Sequence, residues 1–288
     1  MGLSHTFRTT GADTGRRLDQ VLAQHVPALS RTKARALLAL GGVFVDGHRT
    51  KVAGRLMRDG QRIEVHLAAV LERTNDAADG KFSELPAPVY DDAELLVIDK
   101  PSGLFSAPTP HSDQNNLLAL LEKAFHQSLH LVHRLDRPTS GLMVFAKTPK
   151  TAAHLGKLFQ DHDLVRQYLA ILVGRLTDAV VHVDLPIDGR PAKTRFDLLA
   201  TKASASLVRA ELFTGRTHQV RLHAESLGHP IAGDSKHGRF AQRTSSPRAP
   251  RMALHAATLG LRHPSGEELL FHSSLPDLLQ RYWDELPP

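Results

Sequence analysis

The chain has 288 residues, a formal net charge of +6 and no cysteine. The lack of cysteine excludes disulfides, zinc–thiolate sites and thiol catalysis. No apolar run approaches the ~20 residues of a membrane span, and the first residues lack the apolar core of a secretory signal, so we expect a cytoplasmic protein without a membrane partner. The basic balance favours an anionic partner such as nucleic acid, although many soluble proteins are mildly basic without binding one.

Residues 15–70 are predicted to form a small α/β module. Leu18, Val21 and Leu22 recur at helical spacing, and Ser30 is a favourable N-cap for a second helix. Two short strands complete the pattern. Basic residues near these helices fit contacts with RNA phosphates, while a solvated helix face is the alternative. These candidate RNA-binding residues are Arg16, Arg17, Arg31, Lys33 and Arg35.

A polar stretch without periodicity, residues 71–86, is predicted to link this module to a second domain at 87–288. In the second domain, strand-like segments dominate and helices fall between hairpins. This order favours an α+β domain on a mixed, largely antiparallel sheet. The segment from Thr217 to Gly228 predicts a short helix, with Thr217 as its N-cap.

The segment VHRLDRPTSGLMVFAKT, residues 132–148, carries the candidate chemistry. Asp136 follows a predicted strand and has Arg134 and Arg137 beside it. Neighbouring cations lower the pKa of a carboxyl group and keep it ionised. For a short Asp-x-Pro-Thr-Ser string alone, a structural aspartate that accepts hydrogen bonds from the turn amides is the better-supported interpretation.

The longer string resembles the signature of the RluA-type pseudouridine synthases: His-Arg-Leu-Asp, two variable residues, then Thr-Ser-Gly. Further segments match that family in the same order and extend the resemblance over about residues 86–285. They are DKPSGL, RQYLAILVG, TGRTHQVRLHAESLGHPIAGD and MALHAATLGLRHP. The pattern GRRLDQVLA, SRTKARALL and GGVFVDGHRTK, over about residues 15–68, resembles the RNA-binding domain shared with a small-subunit ribosomal protein. Several motifs in one order are far more specific than any one of them.

This resemblance implies the pseudouridine synthase fold and an RNA uridine isomerase that needs neither cofactor nor metal. In the family's arrangement, Asp136 would be the essential carboxylate. Arg221 would form the ion pair that orients it. Tyr168 would stack on the target uracil and assist removal of the proton from carbon 5.

The same resemblance implies a set of substrate contacts. Arg134 would occupy the place that a flipped uridine leaves in the base stack, and Leu222 would form part of the apolar floor beneath the base. His133 completes the family signature and is a further candidate. Thr217 and His218 either contact RNA near the pocket or support the helix that follows.

The expected substrate is large-subunit ribosomal RNA, because the appended N-terminal module often accompanies that substrate in the family, and we expect a monomer. Transfer RNA is the first alternative, followed by a non-catalytic RNA-binding protein and a structural ribosome-associated protein. A metal-dependent hydrolase that uses the histidines is a further alternative. No HExxH motif is present, and His218 and His223 are five positions apart, which does not suit one helix face.

Two positions depart from the family pattern. Phe213 stands where the family often has an acid, and His237 stands where it usually has tyrosine. Both departures bear on the details of the pocket more than on the reaction. Lys100 and Lys147 are open between contacts with RNA phosphates and solvated charges at strand ends.

Overall fold

The computed structural model describes residues 4–27, 29–39, 42–66, 85–107, 116–238 and 247–288. The chain divides into two compact units, Met1–Phe82 and Ser83–Pro288. The predicted linker at 71–86 lies outside the described residues except for positions 85 and 86. Within the described ranges, no helix has both the length and the apolar character needed to cross a membrane.

The first unit packs two helices against a four-stranded antiparallel sheet of order β1-β4-β2-β3. Leu18 and Leu22 are fully buried with Ile63 and Val65, as the helical spacing predicts. The hydroxyl of Ser30 accepts a hydrogen bond from the amide of Lys33 at 3.3 Å, which fits the predicted cap. The elements are β1 Ser4–Arg8, α1 Leu18–His25, α2 Arg31–Ala39, β2 Val43–Val45, β3 His48–Arg49 and β4 Arg62–His66.

Strand β1 precedes residue 15, where the sequence pattern placed the start of the module. It pairs with β4 from Ser4 opposite His66 to Arg8 opposite Arg62. Five residues are too few for a periodicity to stand out in the sequence, and β1 is an edge strand whose pairing depends on residues more than 50 positions away. The sheet of the first unit therefore includes residues on both sides of its helices.

The second unit is built on a ten-stranded sheet with helices between its strands. Its main path runs β10-β11-β12-β9-β13-β8-β6-β5, while β14 pairs with β13 and β7 pairs with β8. All of these pairs are antiparallel except β8 with β13, which confirms the predicted mixed, largely antiparallel α+β architecture. The strands are β5 Pro88–Asp91, β6 Leu95–Lys100, β7 His130–Leu131, β8 Ser140–Ala146, β9 Val165–Val173, β10 Val180–Asp184, β11 Lys193–Lys202, β12 Ala205–Leu212, β13 Leu254–Arg262 and β14 Glu268–His272, and the helices are α3 Leu117–Phe125, α4 Pro149–Asp161, α5 Gln219–Ser226 and α6 Asp277–Glu285.

The parallel contact between β8 and β13 fixes the end of the loop that carries Asp136. Ser140 lies beside His255, and Gly141 lies beside Ala256. Gly141 has a φ of 122°, and a Cβ atom there would lie 2.3 Å from the carbonyl oxygen of Ala256. Only glycine permits this approach, so the Thr-Ser-Gly string positions the strand that follows the candidate carboxylate.

Helix α5 begins one residue later than the sequence pattern indicates. Its N-cap is His218, which has a φ of 58°, so the prediction that Thr217 caps the helix is wrong. The side-chain oxygen of Gln219 accepts a hydrogen bond from the amide of Arg216 at 2.9 Å and satisfies this donor of the preceding turn instead. A left-handed residue and a capping side chain from inside the helix are not visible in a helical periodicity.

Candidate active site

One cleft of about 510 Å³ lies in the second unit, between the β7–β8 loop, the start of β9 and the segment that enters α5. Leu222 is half-buried and is not among the lining residues, whereas Leu212, Val220 and Leu254 provide apolar lining. The structure therefore brings most of the predicted site residues to one cavity. The predicted residues that line it are His133, Arg134, Asp136, Tyr168, Thr217, His218 and Arg221.

The loop that carries Asp136 is held by the segment DKPSGL and the residues just after it. The hydroxyl of Ser106 donates to the carbonyl oxygen of Leu135 at 2.7 Å and accepts from the Leu135 amide at 3.0 Å. The hydroxyl of Ser102 donates to the carbonyl oxygen of Pro138 at 2.7 Å. These bonds fix the backbone on both sides of Asp136, so its carboxyl group starts from a rigid base.

Lys100 is part of this support and not an RNA-facing charge. Its side chain is fully buried, and Nζ donates to the carbonyl oxygens of Pro101 and Leu104, each at 2.9 Å. Burial lowers the pKa of Lys100 to about 7. Lys147 is also engaged by the protein, in an ion pair with Asp91. Lys100 is therefore neither a contact for RNA phosphates nor a solvated charge at a strand end, the two roles that the sequence left open.

Asp136 is held by an arginine that is itself anchored by a second aspartate. Arg221 Nη1 donates to Asp136 Oδ2 at 2.8 Å, while Nε and Nη2 donate to the two oxygens of Asp234 at 2.6 and 2.8 Å. Burial opposes the charge on Arg221, but its bonds to Asp234 and Asp136 raise its pKa. Burial likewise opposes the charge on Asp234, yet the bond from Arg221 holds its pKa below the usual value. The arginine is thus permanently charged and fixed in orientation.

The two oxygens of Asp136 have different surroundings. Oδ2 accepts from Arg221, and Nε2 of His218 lies 3.6 Å from it. The described residues offer Oδ1 no hydrogen bond. The side chain of Asp136 is 23% exposed, against 6% for Arg221 and 1% for Asp234, so the carboxylate is the member of the trio that a ligand can reach.

Tyr168 extends from β9 into the cleft and stays a neutral phenol. Its backbone neighbours across the sheet are two small residues, Ala210 on β12 and Ala256 on β13. Burial raises the pKa of Tyr168 to about 12. The side chain therefore contributes an aromatic face and a hydroxyl group, without a negative charge that would compete with Asp136.

His133 supports the wall of the cleft. Its ring stacks on Phe159 of α4 at a centroid distance of 4.5 Å, and its Nε2 accepts a hydrogen bond from the amide of Val144 at 3.0 Å. Burial lowers the pKa of His133 to about 3, so the ring is neutral. Its contacts are with the protein on both the face and the edge of the ring, while Arg134 beside it is exposed at the mouth of the cleft.

His237, one of the two departures from the family pattern, contacts a residue of the cleft. Its Nε2 lies 3.2 Å from Nδ1 of His218, whose other ring nitrogen approaches Asp136. Burial lowers the pKa of His218. Phe213, the second departure, is 46% exposed and does not line the cleft. His237 can therefore influence Asp136 through its contact with His218, whereas Phe213 has no such contact with the cleft.

Two residues of the site had no role in the sequence analysis. Asp234 lies in the Gly-Asp pair of a matched motif, which was its only signal. Gln219 is buried, and its amide group binds Thr214, the Arg216 amide and the Lys193 carbonyl oxygen. It thereby fixes the turn that leads to His218 and Arg221. In the part of the chain that the structure describes, no three His, Asp or Glu side chains form a group suited to a metal ion.

Four of the five basic residues predicted to bind RNA lie near buried acids in the first unit. Asp19 is fully buried and approaches Arg17, Arg31 and Arg35 at 3.1, 3.8 and 2.5 Å. The remaining two predicted residues are Arg16, which lies 3.9 Å from Asp13, and Lys33, which is exposed.

Comparison with known proteins identifies both units. The RNA pseudouridylate synthase family matches residues 94–226, and the S4 domain family matches residues 16–63. The ribosomal large subunit pseudouridine synthase D of Nitrosomonas europaea is 36% identical, over 91% of this chain and 82% of the relative. The corresponding synthase C of Vibrio cholerae is 32% identical, over 93% and 92%.

A solved structure, human RNA pseudouridylate synthase domain containing 4, superposes with a TM-score of 0.60. It is 28% identical and covers 70% of this chain and 95% of its own. The structural match, the two family matches and the relatives all agree with the motif order in the sequence.

Proposed function

Because this chain belongs to the RNA pseudouridine synthase family, we propose that it converts uridines of large-subunit ribosomal RNA to pseudouridine with Asp136 as the catalytic carboxylate. The chain is an isomerase, and its RNA-binding S4 domain accompanies the catalytic unit. The observation that carries the assignment of Asp136 is its bond to Arg221, which Asp234 anchors from behind. A carboxylate held in this way at an open cleft is ionised and oriented.

The isomerisation needs few protein groups beyond this oriented carboxylate. The bond between N1 of uracil and C1′ of ribose breaks, the uracil turns while bound, and a bond from C5 to C1′ forms. The proton on C5 is lost, and N1 gains one, so atoms and charge balance without an oxidant or a transferred phosphate. A carboxylate, an apolar pocket and an everted base are sufficient.

Asp136 Oδ1 is the reactive oxygen in this proposal. It has no hydrogen bond among the described residues, whereas Oδ2 is occupied by Arg221. An unbonded carboxylate oxygen is the better nucleophile or base, because no donor has to be displaced before it acts. The fixed guanidinium stabilises the carboxylate while Oδ1 attacks a carbon or takes a ribose proton.

Tyr168 and Arg134 complete the proposed substrate contacts. Tyr168 offers its ring to the uracil and, because its pKa is about 12, holds its hydroxyl proton at neutral pH. Its role in the loss of the C5 proton therefore goes through a neutral hydroxyl group. Arg134 is exposed at the cleft and can enter the base stack in place of the everted uridine. Aromatic stacking and an inserted side chain are the usual means of holding a base outside its helix.

Ribosomal RNA is the proposed substrate on two grounds. The two synthases described above, which match over about nine-tenths of this chain, are named for the large ribosomal subunit. The first unit presents arginines that suit an RNA backbone and matches the S4 domain. We further propose that the enzyme acts in the cytoplasm, where ribosomal RNA is modified, and that it acts as a monomer.

Pseudouridine mapping tests the substrate. Large-subunit RNA from a strain that lacks the protein is expected to have lost pseudouridine at defined positions, and wild-type protein should restore them in vitro. Loss confined to transfer RNA would overturn the ribosomal assignment. The reaction itself is followed by tritium release from RNA that contains 5-tritiated uridine.

Substitution of Asp136 tests the carboxylate. D136N is expected to abolish tritium release while RNA binding stays within about threefold, because the isosteric amide keeps the shape of the site. D178N, which changes an exposed aspartate outside the cleft, is the matched control and should retain full activity. Residual turnover in D136N above a small fraction of wild type would show that Asp136 is not the essential group.

A further inference from the structure

Arg166 is a half-buried cation of the cleft that the proposed reaction does not use. It lies on β9 and lines the cleft with Tyr168, two residues further along the same strand. Its Nε and Nη2 atoms are buried and have no hydrogen-bond partner within the described residues. Buried guanidinium groups without partners are costly, so this one calls for a ligand or a function.

The protein positions this guanidinium from two sides. Its Cζ lies 6.0 Å from the ring centroid of Phe159 on α4. Gly215 lies on the other side, and a Cβ atom there would come within 2.7 Å of Arg166 Nη1. The missing side chain of Gly215 therefore leaves the space that the guanidinium fills. Burial lowers the pKa of Arg166, which means that the surroundings favour the arrival of an opposite charge.

The end of the cleft near Arg166 has an excess of positive charge. Arg216 contributes a second positive charge to it. His162 also lines it, but burial and the charge of Arg166 lower the pKa of this ring, and its Nδ1 is a further buried atom without a hydrogen bond in the described part of the chain. Among the described residues that line the cleft, Asp136 is the single carboxylate, and it is already paired with Arg221. Asp161, whose charge only partly opposes the lowering of the His162 pKa, is exposed and outside the cleft.

We propose that Arg166, with His162 beside it, forms a subsite for a backbone phosphodiester of the RNA next to the everted uridine. The inference rests on the proposed function, in which Tyr168 holds the uracil. Side chains two residues apart on a strand point to the same face and start about 6.6 Å apart. That separation is comparable with the distance between a base and the phosphate of the same nucleotide.

A phosphodiester suits these groups better than a uracil carbonyl does. A guanidinium offers paired N–H groups that match two oxygens of a phosphate, and the match is both geometric and electrostatic. A neutral carbonyl would use one donor and leave the charge uncompensated. An anion neutralises Arg166 and can accept a further bond from His162.

The salt dependence of RNA binding distinguishes a phosphodiester at Arg166 from a neutral uracil carbonyl. The probe is a stem-loop transcript around a mapped target uridine, and binding is measured in the D136N background so that no turnover is needed. Loss of one phosphate contact is expected to weaken binding about tenfold and to lower the slope of log Kd against log salt concentration by about 0.7. D136N/R166Q should show both changes, and D136N/R166K should recover part of the affinity because it keeps the charge. An unchanged slope in D136N/R166Q would overturn the proposal.

Chemical neutralisation of the RNA gives an independent readout. Methylphosphonate at one of the two linkages that flank the target uridine should weaken binding to D136N about as much as R166Q does. The same linkage should have no further effect on D136N/R166Q, because the contact is already lost. Multiplicative effects at both linkages would contradict a direct contact.

A matched arginine controls for general charge. Arg175 is exposed in the segment after the other end of β9 and does not line the cleft. D136N/R175Q should respond to methylphosphonate as D136N does. A folding defect in R166Q would appear as a loss of cooperativity in urea unfolding followed by Trp283 fluorescence, which R175Q should not show. If wild-type protein made no pseudouridine in any RNA, the proposed function itself would fail. Normal pseudouridine formation together with an unchanged salt slope in D136N/R166Q would overturn the role of Arg166 alone.

Discussion

The two units each contain a cluster of aspartates and arginines, and the two clusters are built in opposite order. In the first unit, one fully buried aspartate, Asp19, lies among arginines whose side chains are 35–52% exposed. In the second unit, a buried arginine, Arg221, lies between Asp234, which is 1% exposed, and Asp136, which is 23% exposed. We propose that in each cluster the buried member holds its partners in position and that the exposed members contact the RNA. The first cluster presents positive charge, and the second presents a carboxylate.

This difference matches what each unit has to contact. An RNA backbone is recognised by cations, so holding arginines on a buried acid places their charge without leaving them free to fold back. A reacting nucleoside needs a single oriented oxygen. Two carboxylates on one arginine supply it. Asp234 accepts two hydrogen bonds that fix the guanidinium, and Asp136 accepts one hydrogen bond and keeps its second oxygen unbonded among the described residues.

Among the variants that test this comparison, D234N should have the largest effect. It removes the negative charge that anchors Arg221, and loss of one partner of a buried ion pair lowers the free energy of unfolding by roughly 3–5 kcal/mol. We expect kcat to fall roughly 10²–10³-fold with little change in KM, because the loss falls on the orientation of Asp136 and not on RNA binding. Single-turnover tritium release measures this effect.

Asp197 provides the matched control for Asp234. It also lies between two arginines, Arg195 and Arg209, but it does not line the cleft. D197N should therefore retain wild-type kcat. Trp283, the one tryptophan of the chain, is packed in the core of the second unit and reports whether either variant is folded. A folded D234N enzyme with normal kcat would show that Asp136 needs no anchored partner.

Lowering the pH from 7 to 5 should destabilise the second unit and leave the stability of the first unchanged. In the second unit, burial lowers the pKa of His133 to about 3 and that of His255 to about 4, from 6.5. Between these values the unfolded chain binds more protons than the folded one, so stability is lost as pH falls below 6.5. Each histidine should cost about 2 kcal/mol between pH 7 and pH 5.

The first unit should not respond in that range. Burial opposes the charges on Asp13 and Asp19, but their hydrogen bonds lower both pKa values below 3.8, so this stabilisation is lost only in stronger acid. Hydrogen-exchange mass spectrometry of the whole chain at pH 7 and pH 5, corrected for intrinsic exchange, measures both units at once. H133Q should reduce the loss in the second unit, while H182Q, at an exposed position, should not. Equal destabilisation of both units would contradict the assignment.

The sequence predicts the parts of this comparison that depend on motif order or short-range periodicity. The two-unit plan, the largely antiparallel sheet and the placement of Asp136 and Arg221 in one cleft belong to this class. The pairing of Arg221 with Asp234 does not, because it depends on the turn after α5 that brings positions 13 residues apart together. Thr217 illustrates a second limit, because a helical periodicity does not reveal that the chain enters α5 through a left-handed His218. Leu222 illustrates a third, because its place beneath the base came from the family resemblance alone, and Leu212, Val220 and Leu254 provide the apolar lining instead.

The smallest expected effect, and the one whose sign is most informative, is at Asp19. Removal of a negative charge from a basic unit should by itself tighten RNA binding slightly. If Asp19 instead positions Arg17, Arg31 and Arg35, D19N should weaken RNA binding, by about tenfold or about 1.4 kcal/mol. D59N, which neutralises an exposed aspartate of the same unit, provides the charge effect alone and should bind as tightly as wild type or slightly more tightly. Binding to ribosomal RNA fragments at two salt concentrations measures both variants, and kcat at saturating RNA should be unchanged in each. Because D19N also weakens the fold around a buried site, a chain that lacks residues 1–82 serves as the control for complete loss of the first unit. The RNA affinity of D19N should lie between the affinity of that chain and that of wild type.

Tighter binding in D19N than in wild type would mean that the arginines hold their positions without the buried acid. The opposite order of the two clusters would then have no functional consequence in the first unit.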